Sequence, residues 1–215
     1  MTSSLPKKKA HRNKTLSKKQ RNIYCRRMNT FFGFLLMLGF FEGRTRRAMF
    51  VPDYMFDTVY DIPLSLLEKE HIRCLLLDID NTLVPYDVPE PTADNRRWFE
   101  TLAAHGITPL FVSNNHPPRV ERYAKGLGIA YTADAGKPGI KKYRELLASQ
   151  GIPPEDCAAV GDQIFTDVLA ASRLGVKSIL VKPIKDVENR FFRFKRFWER
   201  PFVAAYRRRA RKRAD

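Results

Sequence analysis

The feature that most constrains this chain is a series of short apolar runs that each stop on a polar residue. Ile72-Arg73-Cys74-Leu75-Leu76-Leu77 runs directly into Asp78. A strand wetted on one face alternates apolar and polar residues, whereas a strand covered on both faces reads as a nearly unbroken apolar run. Further runs follow at Ile107–Val112, Ile129–Tyr131, Cys157–Val160 and Val176–Val181. Helical stretches separate them. Thr92 caps a predicted helix over Ala93–Ala104 that stops at Gly106, and Arg119–Leu127 ends at Gly128. Lys141–Ser149 is followed by Gly151, and Ile164–Leu174 closes on Gly175. Strand–helix alternation with short connections predicts an α/β fold of three layers, a parallel sheet with helices on both faces.

Ligands in such sheets bind at the carboxyl ends of the strands. The residues there are Asp78-Ile79-Asp80-Asn81-Thr82 after the first run, Ser113-Asn114-Asn115 after the second, and Gly161-Asp162 with Asp167 after the fourth. Lys137 stands in Gly136-Lys137-Pro138-Gly139 ahead of a helix. Singly, each has a plain structural reading. Asp78 would suit a cap or turn, Ser113-Asn114-Asn115 a turn, and Asp167 the first turn of a helix, where the dipole favours an acid. Together they supply a nucleophile, a proton carrier, metal ligands and positive donors, the parts that phosphoryl transfer requires. A phospho-receiver domain also uses Asp, Ser/Thr and Lys on a similar sheet, but lacks an acid two residues after the nucleophile, and Asp80 argues against it.

The order D-x-D-x-T, strand-end Ser, Lys, then G-D-x-x-x-x-D resembles the haloacid dehalogenase (HAD) superfamily of phosphatases over about residues 50–184. Pro52-Asp53-Tyr54, Tyr60-Asp61-Ile62-Pro63-Leu64, Asp80-Asn81-Thr82-Leu83-Val84 and Gly161-Asp162-Gln163 are similar to the YqeG-like branch of subclass IIIA, related to phosphatases of phosphatidylglycerophosphate. The resemblance implies a Rossmann-like HAD fold without a large cap domain. It implies that Asp78 is the nucleophile and a Mg²⁺ ligand, and that Asp80 is the general acid and base, its carbonyl also binding the metal. It implies phosphate binding by Ser113, Asn114 and Lys137, a metal ligand at Asp162, and supporting roles for Thr82 and Asp167. Little beyond one helix lies between Asp80 and the second run, or between Ser113 and Lys137. The spacing therefore predicts an open site, guarded at most by the Pro85–Pro91 loop, which suits a large or membrane-held phosphomonoester.

Net charge is +16, unevenly spread: +12 over residues 1–50, −4 over 51–184 and +8 over 185–215. The expected organisation is a basic, largely disordered extension over 1–48, a phosphatase domain over 49–184 and a basic aromatic amphipathic segment over 185–215. Basic ends on an acidic core point to an anionic surface, membrane lipid or, with less support, nucleic acid. The apolar segment Phe31–Phe41 has 11 residues, too short to span a bilayer, which needs about 20. It reads as a segment lying in a membrane interface, or as a staple onto the core. Near the other end, Phe191, Phe194, Trp198 and Phe202 recur between arginines, and Pro201 is expected to end or kink that helix near Arg200. It reads as membrane-surface binding, with core packing through Phe191 and Trp198 and RNA binding through the Arg207–Arg213 run as the alternatives. Three cysteines, Cys25, Cys74 and Cys157, form no C-x-x-C pair, which argues against a disulfide scaffold or zinc site. The expected location is the cytoplasm, peripheral to the membrane.

Overall fold

The computed structural model describes residues 49–185 and 190–214. The expected extension over 1–48, with Phe31–Phe41, lies outside the described residues, as do the side chains of Phe191 and Phe194. Among the described residues six strands form one parallel sheet: β1 (Tyr54–Phe56), β2 (Cys74–Leu77), β3 (Thr108–Val112), β4 (Tyr131–Thr132), β5 (Cys157–Gly161) and β6 (Lys177–Val181). Their order is β1-β6-β5-β2-β3-β4. Among the described residues the α-helices are α1 (Leu64–Lys69), α2 (Ala93–Ala104), α3 (Pro117–Ala124), α4 (Lys141–Gln150), α5 (Leu169–Leu174) and α6 (Arg190–Ala214).

The apolar run of β2 is continuous because its two faces serve two cores. Leu75 and Leu77 pack with Trp98, Phe99 and Leu102 of α2 and with Val120 and Tyr123 of α3. Cys74 and Leu76 pack with Tyr143, Leu146 and Leu147 of α4 and with Ala170, Ala171 and Leu174 of α5. Each fully buried large apolar side chain stabilises such a layer by about 1.5–3 kcal/mol. This is the expected three-layer α/β fold. The chain leaves β2 for β3 on one side, while β5 lies on the other. That change of direction opens a crevice at the carboxyl end of β2.

Several boundaries differ from expectation. α3 begins at Pro117 rather than Arg119, because proline is suited to a first helical turn. The strand expected over Ile129–Tyr131 is β4, which covers only Tyr131–Thr132. The helix after Asp162 opens as a π-helical turn, Ile164–Val168, before α5. β1 has no counterpart in the sequence reading. Its register, Tyr54 opposite Ile179, is set by Asp53, whose Oδ2 accepts from the Ser178 amide at 2.9 Å and hydroxyl at 2.8 Å.

Pro201 lies inside α6 and does not end it. Contacts on both sides hold the helix through the missing amide. The Glu199 carboxylate accepts from the Ile164 N–H at 2.9 Å, Phe202 packs on Phe50 and Phe165, and the Tyr206 hydroxyl accepts from the Met55 N–H at 3.2 Å. The side chains docked on the domain are those of Glu199, Phe202 and Tyr206, while Trp198 and Phe197 are partly exposed. Among the described residues no helix is long and apolar enough to cross a membrane.

Candidate active site

β2 delivers Asp78 to the crevice. The Asp78 N–H still donates to Val160 O at 3.0 Å, so the residue continues the sheet while its side chain enters the site. Oδ1 accepts from Lys137 Nζ at 2.6 Å, and Oδ2 accepts from the Thr82 hydroxyl at 3.2 Å. The same ammonium donates to Asp167 Oδ1 at 2.7 Å. Asp78, Asp162 and Asp167 each bring a carboxylate oxygen into a group whose members lie within 4.8 Å of one another. Lys137, Thr82 and the three acids are all buried.

Three carboxylates facing one ammonium leave a formal excess of two negative charges, and a buried unpaired charge costs several kcal/mol. The pKa shifts express that tension. Burial pushes the Asp78 carboxyl up to about 7 against the opposing pull of Lys137. Burial opposes charge on Lys137 as well, but Asp167 and Asp78 outweigh it and hold its pKa well above the usual lysine value. An all-oxygen, buried, electron-rich donor set fits a hard divalent cation.

Two loops are zipped together beside the acids. Asn114 accepts from the Lys137 N–H at 2.7 Å and donates to the Lys137 carbonyl at 3.2 Å, so its side chain aligns the backbone that carries the ammonium. The Ala135 N–H donates to Ser113 O and the Asp134 N–H to Asn115 O, both at 2.9 Å. The Ser113 hydroxyl accepts from the Asn115 N–H at 3.0 Å. Asp167 folds back on the end of β5, where Oδ2 accepts from the Gln163 N–H at 3.2 Å and the Thr166 hydroxyl at 3.2 Å.

The structure thus brings together Asp78, Thr82, Asn114, Lys137, Asp162 and Asp167, with Ser113 at the joined loops. The Asp80 carboxylate is not in the acid group. It accepts from Asn115 Nδ2 at 2.9 Å and from Arg119 Nη2 at 3.0 Å. Sequence reasoning placed Asn115 at a strand end without a role of its own, and missed Arg119 and Glu199. The signals were there: Asn115 and Arg119 stand four residues apart across a helix start, and Glu199 is the single acid within 190–214.

The HAD-hydrolase-like family model matches residues 134–183, which include Lys137, Asp162 and Asp167. A protein of Bacillus subtilis (strain 168), "Probable phosphatase YqeG", is 35% identical over 162 residues, covering 75% of this chain and 94% of its own length. Among solved structures, the cobalt-bound deoxy-D-mannose-octulosonate 8-phosphate phosphatase of Haemophilus influenzae is 16% identical with a TM-score of 0.43, over 53% of this chain and 80% of that one. The 3-deoxy-D-manno-octulosonate 8-phosphate phosphatase of Moraxella catarrhalis, in complex with magnesium ion, phosphate ion and KDO, is 19% identical with a TM-score of 0.39, over 47% of this chain and 65% of that one. With a curated relative this similar along three quarters of the sequence, and the motif residues gathered at one crevice, the chain belongs to the YqeG-like phosphatases of the HAD superfamily.

Proposed function

We propose that this phosphatase hydrolyses a phosphomonoester through an aspartyl-phosphate on Asp78, with Mg²⁺ bound, and that the ester is a lipid phosphate such as phosphatidylglycerophosphate. The observation that carries the chemistry is the shared hold of Lys137 Nζ on Asp78 and Asp167, beside Asp162. Asp78 attacks phosphorus and the ester P–O bond breaks as Asp80 gives its proton to the leaving oxygen. Asp80 then takes a proton from water, whose oxygen attacks phosphorus. The P–O bond to Asp78 breaks, releasing phosphate and the free carboxylate. Ser113, the Asn114 amide and Lys137 hold phosphate oxygens and oppose their charge. Thr82 orients the nucleophile, and Asp167 orients Lys137. Mg²⁺, held by Asp78, Asp162 and the Asp80 carbonyl, would supply the positive charge that lets a carboxylate approach an anionic ester.

Residues 49–184 form the phosphatase domain in this reading, and the basic ends 1–48 and 185–215 direct it to anionic lipid. Support for the lipid comes from the exposed Phe197, Trp198 and Arg200 and the exposed cations Arg207–Arg209, Arg211 and Lys212 of α6. Aromatic residues among cations suit a membrane interface. Among the described residues, a loop and α2 are all that stand between Asp80 and β3, which leaves space for a large substrate. A phosphatase screen with Mg²⁺ over lipid and water-soluble phosphomonoesters tests the reading. Preferred turnover of a lipid phosphate is expected. Preference for a soluble or protein-borne phosphate, or for RNA over liposomes in sedimentation, removes the lipid assignment.

A further inference from the structure

We propose that Arg119 is a positioning residue for the phosphatase reaction, holding the Asp80 carboxyl in the orientation used for proton transfer. The proposal rests on the Asp80 role given above. The guanidinium of Arg119, near the start of α3, makes three hydrogen bonds, two to one loop and one to the residue after β2 that carries the proton. Nη1 donates to Pro89 O at 2.9 Å, and Nη2 donates to Val88 O at 2.7 Å and to Asp80 Oδ1 at 3.0 Å. It lies over the Tyr123 ring, 5.7 Å from the centroid.

This guanidinium is costly to keep where it is. The Arg119 side chain is 16% exposed and that of Asp80 is 5% exposed. The Arg119 Nε and the Tyr123 hydroxyl are buried without a hydrogen-bond partner among the described residues. A neutral donor could tether the Val88–Pro89 loop without burying a charge. What needs a cation is the carboxylate, and Asp80 is the carboxylate that Arg119 pairs with among the described residues. Arginine suits the task because its planar fork fixes direction as well as charge.

Asn115 completes the hold from the other side, donating to Asp80 Oδ2 at 2.9 Å. Two donors on two different oxygens fix the plane of the carboxyl group. Each oxygen keeps a second lone pair, which leaves room for the transferred proton. The Asn115 backbone is itself anchored by Asp134 and Ser113, so the clamp is built on the loops that frame the site. Among the described residues the side-chain hydrogen bonds of Asp78 and Lys137 go to each other, to Thr82 and to Asp167 and not to Asp80, Asn115 or Arg119, so the nucleophile and the proton carrier are held by different side chains.

That separation has a measurable signature. An ester of an acidic alcohol departs without proton help, whereas an ester of a more basic alcohol needs it. The test compares kcat/KM of the full chain in Mg²⁺ on p-nitrophenyl phosphate and on phenyl phosphate, for wild type, Arg119→Met and Arg119→Lys. Well-placed acid catalysis contributes about 100- to 10,000-fold. Arg119→Met is expected to lose on the order of tenfold more on phenyl phosphate than on p-nitrophenyl phosphate, and Arg119→Lys to recover part of that difference. Equal losses on the two esters overturn the proposal, as a purely structural role would produce them. If Arg119→Met does not fold, Asn115→Ala removes the other half of the clamp and must show the same dependence on the leaving group, or the proposal fails. Activity surviving in Asp78→Asn would instead refute the aspartyl-phosphate reading, whatever the ratio between the two esters.

Discussion

The Asp167 side chain fills the space that any side chain at Gly161 would need: a Cβ there would lie 2.3 Å from Asp167 Cγ and 2.5 Å from its Cβ. The last residue of β5 is therefore glycine because the acid that grips Lys137 folds directly over it. Gly161→Ala is expected to push Asp167 off the ammonium, lowering stability by about 1–3 kcal/mol, as overpacking in a dense interior does. Thermal unfolding measures the first effect, and turnover on p-nitrophenyl phosphate, also expected to fall, measures the second. An alanine variant with unchanged melting and rate would contradict this packing.

Asp78→Asn keeps the shape of the side chain and removes the nucleophilic charge. Loss of turnover by roughly 10,000-fold or more is expected, the scale seen when a covalent nucleophile is removed. Far-UV circular dichroism should stay unchanged. A rate within about tenfold of wild type would rule out Asp78 as the attacking group.

Activity is expected to vanish in EDTA, return with Mg²⁺ and return poorly with Ca²⁺, which prefers more ligands at longer distances. A second readout avoids dependence on turnover. Binding to the folded state alone stabilises it, by about 2.7 kcal/mol at a hundredfold excess over Kd. Mg²⁺ should therefore raise the melting temperature of wild type, and much less that of Asp162→Asn. Full activity in chelator would exclude a metal role.

Lys137 offsets two buried carboxylates. Lys137→Met leaves them facing each other with no cation between, and breaking a buried pair by removing one partner costs about 3–5 kcal/mol. Denaturant unfolding without divalent cations should show that loss. A change below about 1 kcal/mol, the level of an exposed pair, would mean the ammonium is not the charge balancing this site.

The C-terminal helix has two separable parts. One is docked on the domain: Glu199 is 3% exposed, and Phe202 covers Phe50 and Phe165. Cutting the chain after residue 184 should destabilise the domain and lower activity on every ester. The other is the C-terminal end, which carries exposed Arg207–Arg209 and Arg211. Reversing those four charges should leave hydrolysis of a small phosphate unchanged and weaken pelleting with anionic liposomes, since each cation near such a surface contributes about 1 kcal/mol. Undiminished pelleting at low salt, with RNA binding lost, would assign the tail to nucleic acid.

Sequence alone determined the layered α/β architecture and the acids at the strand ends. Both follow from local patterns: the two-faced burial of Leu75 to Leu77 forces a continuous apolar run, and Asp78, Asp80, Asp162 and Asp167 belong to motifs with fixed spacing. Three-residue β1 was not legible, because it is too short to show a period and is specified by Asp53 and Ser178, 125 residues apart. The continuation of α6 past Pro201 was not legible for a similar reason. A backbone rule predicts an end or a kink there, and contacts of Glu199, Phe202 and Tyr206 with distant elements accompany a helix that does not end. The acid group showed the same division. Its members could be named from the motifs, but only the tertiary structure separated Asp80 from them and gave it to Asn115 and Arg119. Which carboxylate faces which cation depends on loops joined across the sheet, and hydrogen bonds of that reach leave no periodicity in the chain.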